Sequence, residues 1–232
     1  RSLGWGVGWA ESRPDSTYKP VMPVVSDGIA YFHTEFVVQA WNLYASSSEP
    51  LWTHRAPVPP GQLMFEDRLI HTTSVSDGRV FANLITWLGQ NEMQSSYIRV
   101  KYPFPKRALF ALDAYTGRML WRVGGQAGAE RFDDGLSFST APPPAGGLLY
   151  AGAIRQAYPT DRFEHFVVSL DPATGRLLWS TFVASGGTEI NLFGNSTRES
   201  LGSPVSVTED SVYYCTNHGA IAALDKKTGR IR

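Results

Sequence analysis

The chain has 232 residues, and its 21 basic and 21 acidic side chains leave no formal net charge at pH 7. This balance provides neither a basic stripe nor an acidic tail, so we expect no nucleic-acid partner. No apolar run is long enough for a transmembrane helix. Seven Trp, 22 Gly and 15 Pro residues are typical of many short strands joined by tight turns.

Residues 1–19 contain Trp5, Trp9 and spaced glycines but show no clear repeat. We interpret them as an N-terminal segment, either the end of a preceding repeat unit or a crossing segment. From residue 20 onwards, apolar residues alternate with a period of two, which indicates strands, and no stretch longer than a turn has helical spacing. The chain is therefore predicted to be all-β.

The predicted strands fall into four groups, at about residues 20–54, 63–123, 136–183 and 203–232. The last group lacks most of its final strand. In the second and third groups we predict strands near Leu69–Ser74, Val80–Thr86, Ala108–Leu112, Met119–Val123, Phe138–Ala141, Leu148–Ile154, Phe166–Leu170 and Leu177–Phe182.

One motif recurs between the last two strands of the groups. The stretch from Ala111 to Trp121 returns from Ser169 to Trp179 and again from Ala223 to the final residue, Arg232. A degenerate copy, Ala40-Trp41-Asn42 with Trp52, precedes them. The nearly constant spacing of the copies is typical of a propeller or a repeat array, in which no unit can bury its apolar face alone.

Each position of the motif has a physical role. The Asp carboxylate accepts hydrogen bonds from the backbone N–H groups that follow it, Thr does so more weakly, and Gly takes a positive φ. The Trp is predicted to bury about 200 Å² between neighbouring sheets, which stabilises each repeat by several kcal/mol. The predicted structural residues are Ala111, Asp113, Thr116, Gly117, Trp121, Asp171, Thr174, Gly175, Trp179, Ala223, Asp225, Thr228 and Gly229.

The motif Ala-x-Asp-x-x-Thr-Gly-x-x-x-Trp resembles the tryptophan-docking motif of the quinoprotein-type, or PQQ-like, β-propellers. The resemblance covers about residues 20–232 and implies four-stranded antiparallel blades. A closed ring of seven or eight such blades needs about twice this length. The resemblance therefore implies about half of a ring, and we expect missing blades of the same protein to complete it.

The same repeat builds quinone-dependent dehydrogenases and non-enzymatic scaffolds alike. For the dehydrogenases, the resemblance implies PQQ over the central channel, usually with calcium, an acidic base and, in many, a disulfide of adjacent cysteines. This chain has a single cysteine, Cys215, interpreted as an inert strand residue, and we can assign neither the base nor the calcium carboxylates. We therefore expect no cofactor, with PQQ and calcium as the alternative.

The connections between strands differ in length according to the rim on which they lie. The first-to-second and third-to-fourth turns are short, whereas the opposite rim carries long connections at Arg55–Gln62, Trp87–Arg107, Gly124–Gly135, Arg155–His165 and Ala184–Gly202. Elaboration of one rim is expected of a binding face, although such loops can also pack on one another or on further blades.

The candidate partner face combines Arg with Tyr and Trp, the side chains that dominate binding energy at protein or carbohydrate interfaces. It consists of Trp87, Tyr97, Arg99, Tyr102, Arg155, Tyr158, Arg162, Asn191 and Arg198, with Lys101, His165, Asn195 and Glu199 in the same connections.

Other motifs give no defensible site. The histidines His33, His54, His71, His165 and His218 lack zinc-site spacing, with His218 interpreted as a turn residue, and the glycine-rich stretches 4–8 and 124–128 do not open helices. Residues 195–197 form a glycosylation sequon of the kind that occurs by chance. Asp133 and Asp134 with Glu130 have the hard oxygens that a cation prefers, but adjacent loop carboxylates are more often solvated.

The sequence therefore predicts a non-catalytic β-propeller scaffold that binds a protein or other partner through the long-loop rim. The resemblance implies a periplasmic or other extracytoplasmic location. It extends to the lipoprotein subunit of the bacterial outer-membrane β-barrel assembly machine, although the long insertions here depart from the compact loops of that subunit. The alternatives are a fragment of a PQQ-dependent quinoprotein oxidoreductase and a sensor or carbohydrate-binding propeller domain.

Overall fold

The computed structural model describes residues 21–57, 71–94, 99–126, 131–157, 162–187, 189–190, 197–198 and 201–232. Within these ranges every regular element is a β-strand, which confirms the all-β prediction. The same ranges contain no helix of the length and apolar character needed to cross a membrane.

Twenty strands are described. They are β1 (Val21–Met22), β2 (Val24–Ser26), β3 (Ile29–His33), β4 (Val37–Asn42), β5 (Trp52–Arg55), β6 (His71–Thr72), β7 (Ser74–Ser76), β8 (Arg79–Gln94), β9 (Arg99–Asp113), β10 (Met119–Gly124), β11 (Ser137–Phe138), β12 (Pro144–Ala145), β13 (Leu148–Ala157), β14 (Arg162–Leu170), β15 (Leu177–Gly187), β16 (Glu189–Ile190), β17 (Thr197–Arg198), β18 (Ser206–Val207), β19 (Ser211–Cys215) and β20 (Ile221–Asp225).

Four antiparallel sheets follow one another along the chain, and we call them the first to fourth blades. Their strand orders are β2-β3-β4-β5, β7-β8-β9-β10, β11-β13-β14-β15 with β12 also on β13, and β18-β19-β20. In the fourth blade only an isolated bridge between Leu224 and Ile231 stands where a fourth strand would lie. The four described blades do not close a ring. Two short pairs, parallel β1–β6 and antiparallel β16–β17, lie outside the blades.

The hydrophobic core is divided among the interfaces between consecutive blades. Alternation along β8 explains this division, because successive side chains of a strand point to opposite faces. Ala82 and Leu84 pack with Val38 of the first blade, whereas Phe81 packs with residues of the third. A further cluster joins the third and fourth blades around Tyr214. Consecutive blades therefore cover the sides that they turn towards each other, as a repeat array requires.

The Asp-x-x-Thr-Gly turns are held by local hydrogen bonds. Asp113 Oδ1 accepts hydrogen bonds from the backbone N–H of Tyr115 at 3.1 Å and from the N–H and hydroxyl of Thr116 at 2.9 and 2.8 Å. These bonds, led by the one from the Thr116 hydroxyl, hold the pKa of Asp113 below its usual range. Gly117 follows with a φ of 70°, which a side chain would resist.

In the first three blades, a Trp of the blade covers the turn glycine of the next blade along the chain. The indole of Trp52 lies over Gly117 so closely that a Cβ on this glycine would be 2.6 Å from the ring. Trp121 covers Gly175 and Trp179 covers Gly229 in the same way. The ring nitrogens of Trp52 and Trp121 donate to the carbonyl oxygens of Ala114 and Pro172, at 2.9 and 3.0 Å.

Two of the connections that we predicted to be long loops consist mostly of paired strands, so these two predictions are wrong. The connection Trp87–Arg107 is largely a regular hairpin, since β8 and β9 pair from Arg79↔Asp113 to Gln94↔Arg99. Most of Arg155–His165 likewise belongs to the pair β13–β14. In the second blade the physical reason is a β-bulge, because one extra residue in β8 reverses the facing of those beyond it and interrupts the alternation of apolar residues.

Candidate interaction surface on the long-loop rim

The paired strands of the second and third blades continue beyond the blades on one rim. We call the continuation of the second blade, residues 87–94 and 99–105, the blade-2 arm. The blade-3 arm has three strands and consists of residues 154–157, 162–165 and 184–187. Both arms leave between the second and third strands of their blades, so they project from the same rim.

A β-bulge marks the base of each arm. In the second blade the register passes from Ile85↔Arg107 to Trp87↔Lys106 and leaves Thr86 as the extra residue. The Thr86 hydroxyl lies 2.8 Å from the carbonyl oxygen of Gly125, to which it donates. In the third blade the shift falls beside His165. Bulges bend and twist a strand, so both arms are re-aimed where they leave the blades.

The opposite rim is compact in the first two blades. Asp27-Gly28 and Asp77-Gly78 form two-residue turns, with φ of 51° and 74° in the first and 49° and 68° in the second. Positive φ at both central residues is typical of the tight hairpin turn that matches strand twist. This rim therefore offers short turns, in contrast to the arms.

The blade-3 arm carries an ion pair whose arginine lies over two phenylalanine rings. Arg155 and Glu164, which pair across β13 and β14, form a salt bridge of 2.7 Å. The Arg155 guanidinium lies 4.9 Å from the ring centre of Phe132 and 5.7 Å from that of Phe166. Phe166 also contacts Phe182, which is 49% exposed. Half-exposed arginine over aromatic rings has the composition of an interface hot spot.

His165 is fully buried and does not belong to the accessible face on which the sequence placed it. Its Nδ1 lies 3.3 Å from the Tyr214 hydroxyl, and its ring meets that of His218 edge-on at 5.2 Å. Burial, and then the charge of His218, lowers the pKa of His165 to about 4. Burial also raises the pKa of Tyr214. His218 lies in the turn between β19 and β20, as predicted.

Three charged residues at the base of the blade-2 arm are buried, which sequence reasoning missed because it placed two of them in a loop. They are Glu35, Lys106 and Arg107. Burial lowers the pKa of Lys106 to about 8. Backbone bonds fix the region, since the N–H of Ile85 donates to Glu35 O at 2.8 Å and that of Arg107 to Ser137 Oγ at 3.1 Å. No periodicity around these residues signals their burial.

The candidate partner face is distributed over both arms. Trp87 lies half-buried at the base of the blade-2 arm, and Arg162 is exposed on the blade-3 arm with Arg155. The structure places the backbone of Arg99, Lys101 and Tyr102 on β9 and that of Arg198 on β17. The predicted residues outside the described ranges are Tyr97, Glu130, Tyr158, Asn191, Asn195 and Glu199, together with residues 1–19.

The described acidic residues do not fit a calcium–PQQ site. Such a site needs several hard oxygen ligands around one point. In the described ranges no group of three or more His, Cys, Asp or Glu side chains could hold a metal ion. Asp113 Oδ1 is used inside its turn, and Glu164 pairs with Arg155. Asp133 pairs with Arg131 at 3.0 Å, so the predicted carboxylate pair is engaged by a cation of the protein itself.

The interblade packing and the repeated Asp-x-x-Thr-Gly turns define a PQQ-like β-propeller. The chain belongs to the family whose model is described as outer membrane protein assembly factor BamB, which matches residues 3–232.

One similar solved structure is the quinohemoprotein alcohol dehydrogenase from Comamonas testosteroni, with a TM-score of 0.57 and 17% sequence identity. The similarity covers 92% of this chain and 34% of that protein, so the chain spans about a third of its length. At this identity the similarity shows the fold alone. No curated protein matches the chain.

Proposed function

We propose that the chain is a non-catalytic scaffold that binds a protein partner through the long-loop rim. The observation that supports this proposal is that the strand extensions of two blades lie on the same rim. Two neighbouring blades extend beyond the fold there, each from a bulge, while the opposite rim has two-residue turns in the first two blades. Paired strands project side chains more rigidly than loops do, and a rigid surface binds with less loss of conformational entropy.

The described side chains on the blade-3 arm and at its base support a protein as the partner. Arg155 lies over Phe132 and Phe166, and Phe182 beside them is 49% exposed. Arg162 is exposed on the same arm. Arginine and aromatic residues are enriched at the centres of protein interfaces. This favours a protein partner over the carbohydrate ligand that the sequence left open.

The family supports the same proposal and suggests where the protein acts. Its model carries the description of an outer membrane protein assembly factor, which is a role in protein assembly. We therefore propose that the chain works outside the cytoplasm with a protein of an assembly process. In this proposal further blades complete the ring and leave the rim free for the partner.

The alternative function, a quinoprotein oxidoreductase, is favoured by the fold that the chain shares with a quinohemoprotein alcohol dehydrogenase. It can be tested by titrating the protein with PQQ and calcium while absorbance and melting temperature are followed. The scaffold proposal expects no saturable change. A saturable rise in melting temperature would contradict it, because a ligand that binds the folded state stabilises that state.

The scaffold proposal itself is tested with photo-crosslinking residues placed on the two rims in the protein's native cell. Arg162 and Phe182 probe the long-loop rim, and Tyr115 and Arg176 are exposed control positions in the Asp-x-x-Thr-Gly turns. We expect one defined protein adduct from the first pair and none from the second. Equal adducts from both pairs, or none from either, would rule out a partner on this rim.

A further inference from the structure

The outer strand of the third blade lacks the features that protect the outer strands of the first two blades. β15, Leu177–Gly187, has 11 residues, and none of them is charged or a proline. By contrast, β5 has only four residues and ends at Arg55, and β10 has six and contains Arg122. Short length and charged side chains are two ways in which proteins prevent a strand edge from pairing with another chain. β15 has neither protection.

Two residues of β15 direct their backbone groups outwards in the regular stretch between its two register shifts. The N–H of Asp171, directly after β14, donates on the β15 side. The direction alternates along a strand, so Val168 and Phe166 of β14 face β13 instead. Residues that face each other in an antiparallel pair share their orientation. Their partners in β15, Ser180 and Phe182, therefore direct their N–H and C=O groups away from β14.

The outer edge of β15 is unpaired in the part of the chain that the structure describes. There β15 is the last strand of its sheet. Its residues bond to β14, and the Thr181 hydroxyl donates to Gly229 O at 2.6 Å. None of the eleven residues makes any other hydrogen bond. The side chain of Ser180 is exposed and that of Phe182 is 49% exposed, so both outward residues are accessible.

We propose that the edge of β15 at Ser180–Phe182 receives an extended, apolar segment of the partner protein as an added strand. This inference rests on the proposed function and specifies how the partner binds. An open strand edge is a template for pairing. Main-chain hydrogen bonds supply the affinity in this mode, and contacts of alternate side chains supply the specificity.

The side chains along the edge determine which segment fits. Leu178 and Phe182 are 38% and 49% exposed, and an added strand would place its own side chains beside them. Apolar pairs across neighbouring strands are stabilising, so an apolar segment fits this edge. The edge also continues the candidate partner face, because Phe182 contacts Phe166, over which Arg155 lies.

The experiment uses peptides selected from a phage-displayed library of random linear peptides on the wild-type protein. Their dissociation constants are then measured for three variants. Ser180→Pro removes one outward N–H without removing a bond to β14. Ser180→Ala keeps this N–H. Arg122→Pro is the matched control, because Arg122 follows Trp121 in β10 as Ser180 follows Trp179 in β15.

We expect Ser180→Pro to weaken peptide binding by about tenfold, since an unmade backbone hydrogen bond costs on the order of one such factor. Ser180→Ala and Arg122→Pro should bind as the wild type does, and equal melting temperatures would show that all variants fold. Hydrogen exchange of the wild type needs no variant. The amides of Ser180 and Phe182 should exchange rapidly in the free protein and be protected when the peptide is bound.

Four results would overturn the inference. They are unchanged peptide binding by Ser180→Pro, failure to select any peptide, protection of the Ser180 and Phe182 amides in the free protein, and self-association that Ser180→Pro abolishes. The last result would assign the edge to a second copy of the chain. The proposed function would still stand in each case if crosslinking from Arg162 gave its protein adduct.

Discussion

The indole of Trp121 lies directly on the backbone of Gly175, and a Cβ on that glycine would be 2.7 Å from the ring. The contact joins the last strand of the second blade to the turn of the third. It requires a residue without a side chain for two separate reasons, the positive φ of 71° and the position of the indole. The two reasons can be separated by mutation.

We expect Gly175→Ala to be more destabilising than Gly147→Ala. Both glycines have a positive φ, of 71° and 77°, but a Cβ on Gly147 would have no neighbour within 4 Å. Gly147→Ala should therefore cost only the backbone strain of about 1 kcal/mol. Gly175→Ala should cost about 1–3 kcal/mol more, because Trp121 must move. Urea unfolding measures both, and equal losses would show that the indole does not press on this backbone.

Replacement of Trp121 by Ala should cost about 3–5 kcal/mol of unfolding free energy, since the core loses a large aromatic side chain and keeps a cavity. The side chain is 9% exposed, and its ring nitrogen donates to Pro172 O. Leu120→Ala is the control, because the neighbouring Leu120 is 37% exposed on the same strand. A loss at Trp121 no larger than that at Leu120 would contradict the assigned role of the motif.

Stability should fall as the pH drops from about 6.5 to about 4. The folded-state pKa of His165 is lowered to about 4, whereas an unfolded histidine titrates near 6.5. Between these values the unfolded chain binds a proton that the folded protein does not, so acid favours unfolding by about 1–3 kcal/mol. The groups that face the ring include Tyr214 and His218. Unfolding of the wild type and of His165→Gln at several pH values measures the effect, and equal pH dependence would refute it.

The free face of the fourth blade should drive self-association of the chain. Tyr213 pairs with Ala223 as Tyr31 pairs with Ala40 in the first blade, yet Tyr213 is 42% exposed and Tyr31 only 2%. Ile221 on the same face is 80% exposed. Uncovered apolar surface of this kind favours association.

Ile221→Lys should shift the sedimentation of concentrated protein towards a smaller species. The control is Tyr115→Lys, which changes a side chain that is 63% exposed in a turn and should leave sedimentation unchanged. Sedimentation that does not respond to Ile221→Lys would show that this face takes no part in association.

The blades could be predicted from the sequence because their determinants are local. The turn of Asp113 is specified by Asp, Thr and Gly within five residues, and the bonds that these residues make are internal to the turn. The same chemistry recurs at Asp225, whose Oδ1 accepts bonds from Thr228. A repeated local signal of this kind indicates both the element and its place in the order of the chain.

The arms and the buried charges could not be predicted, because their determinants are not local. The bulge at Thr86 reverses the facing of β8, so the alternation that identifies a strand stops at the blade although the strand continues. The sequence pattern predicts that Lys106 and His165 are polar loop residues, whereas both are buried, and their burial depends on neighbouring blades. Period-two patterns carry no information about such contacts.

The Trp–Gly contacts between blades all run in one direction, from a Trp of one blade to a glycine of the blade that follows it in the chain. Each indole belongs to one blade and rests on the next, from Trp52 over Gly117 to Trp179 over Gly229. The smallest unit that contains both the Trp and the glycine of one contact therefore combines the last strand of one blade with the turn of the next. A substitution at Trp121 should then loosen the amides of the Gly175 turn before those of the Gly117 turn, so damage would spread towards the C-terminus.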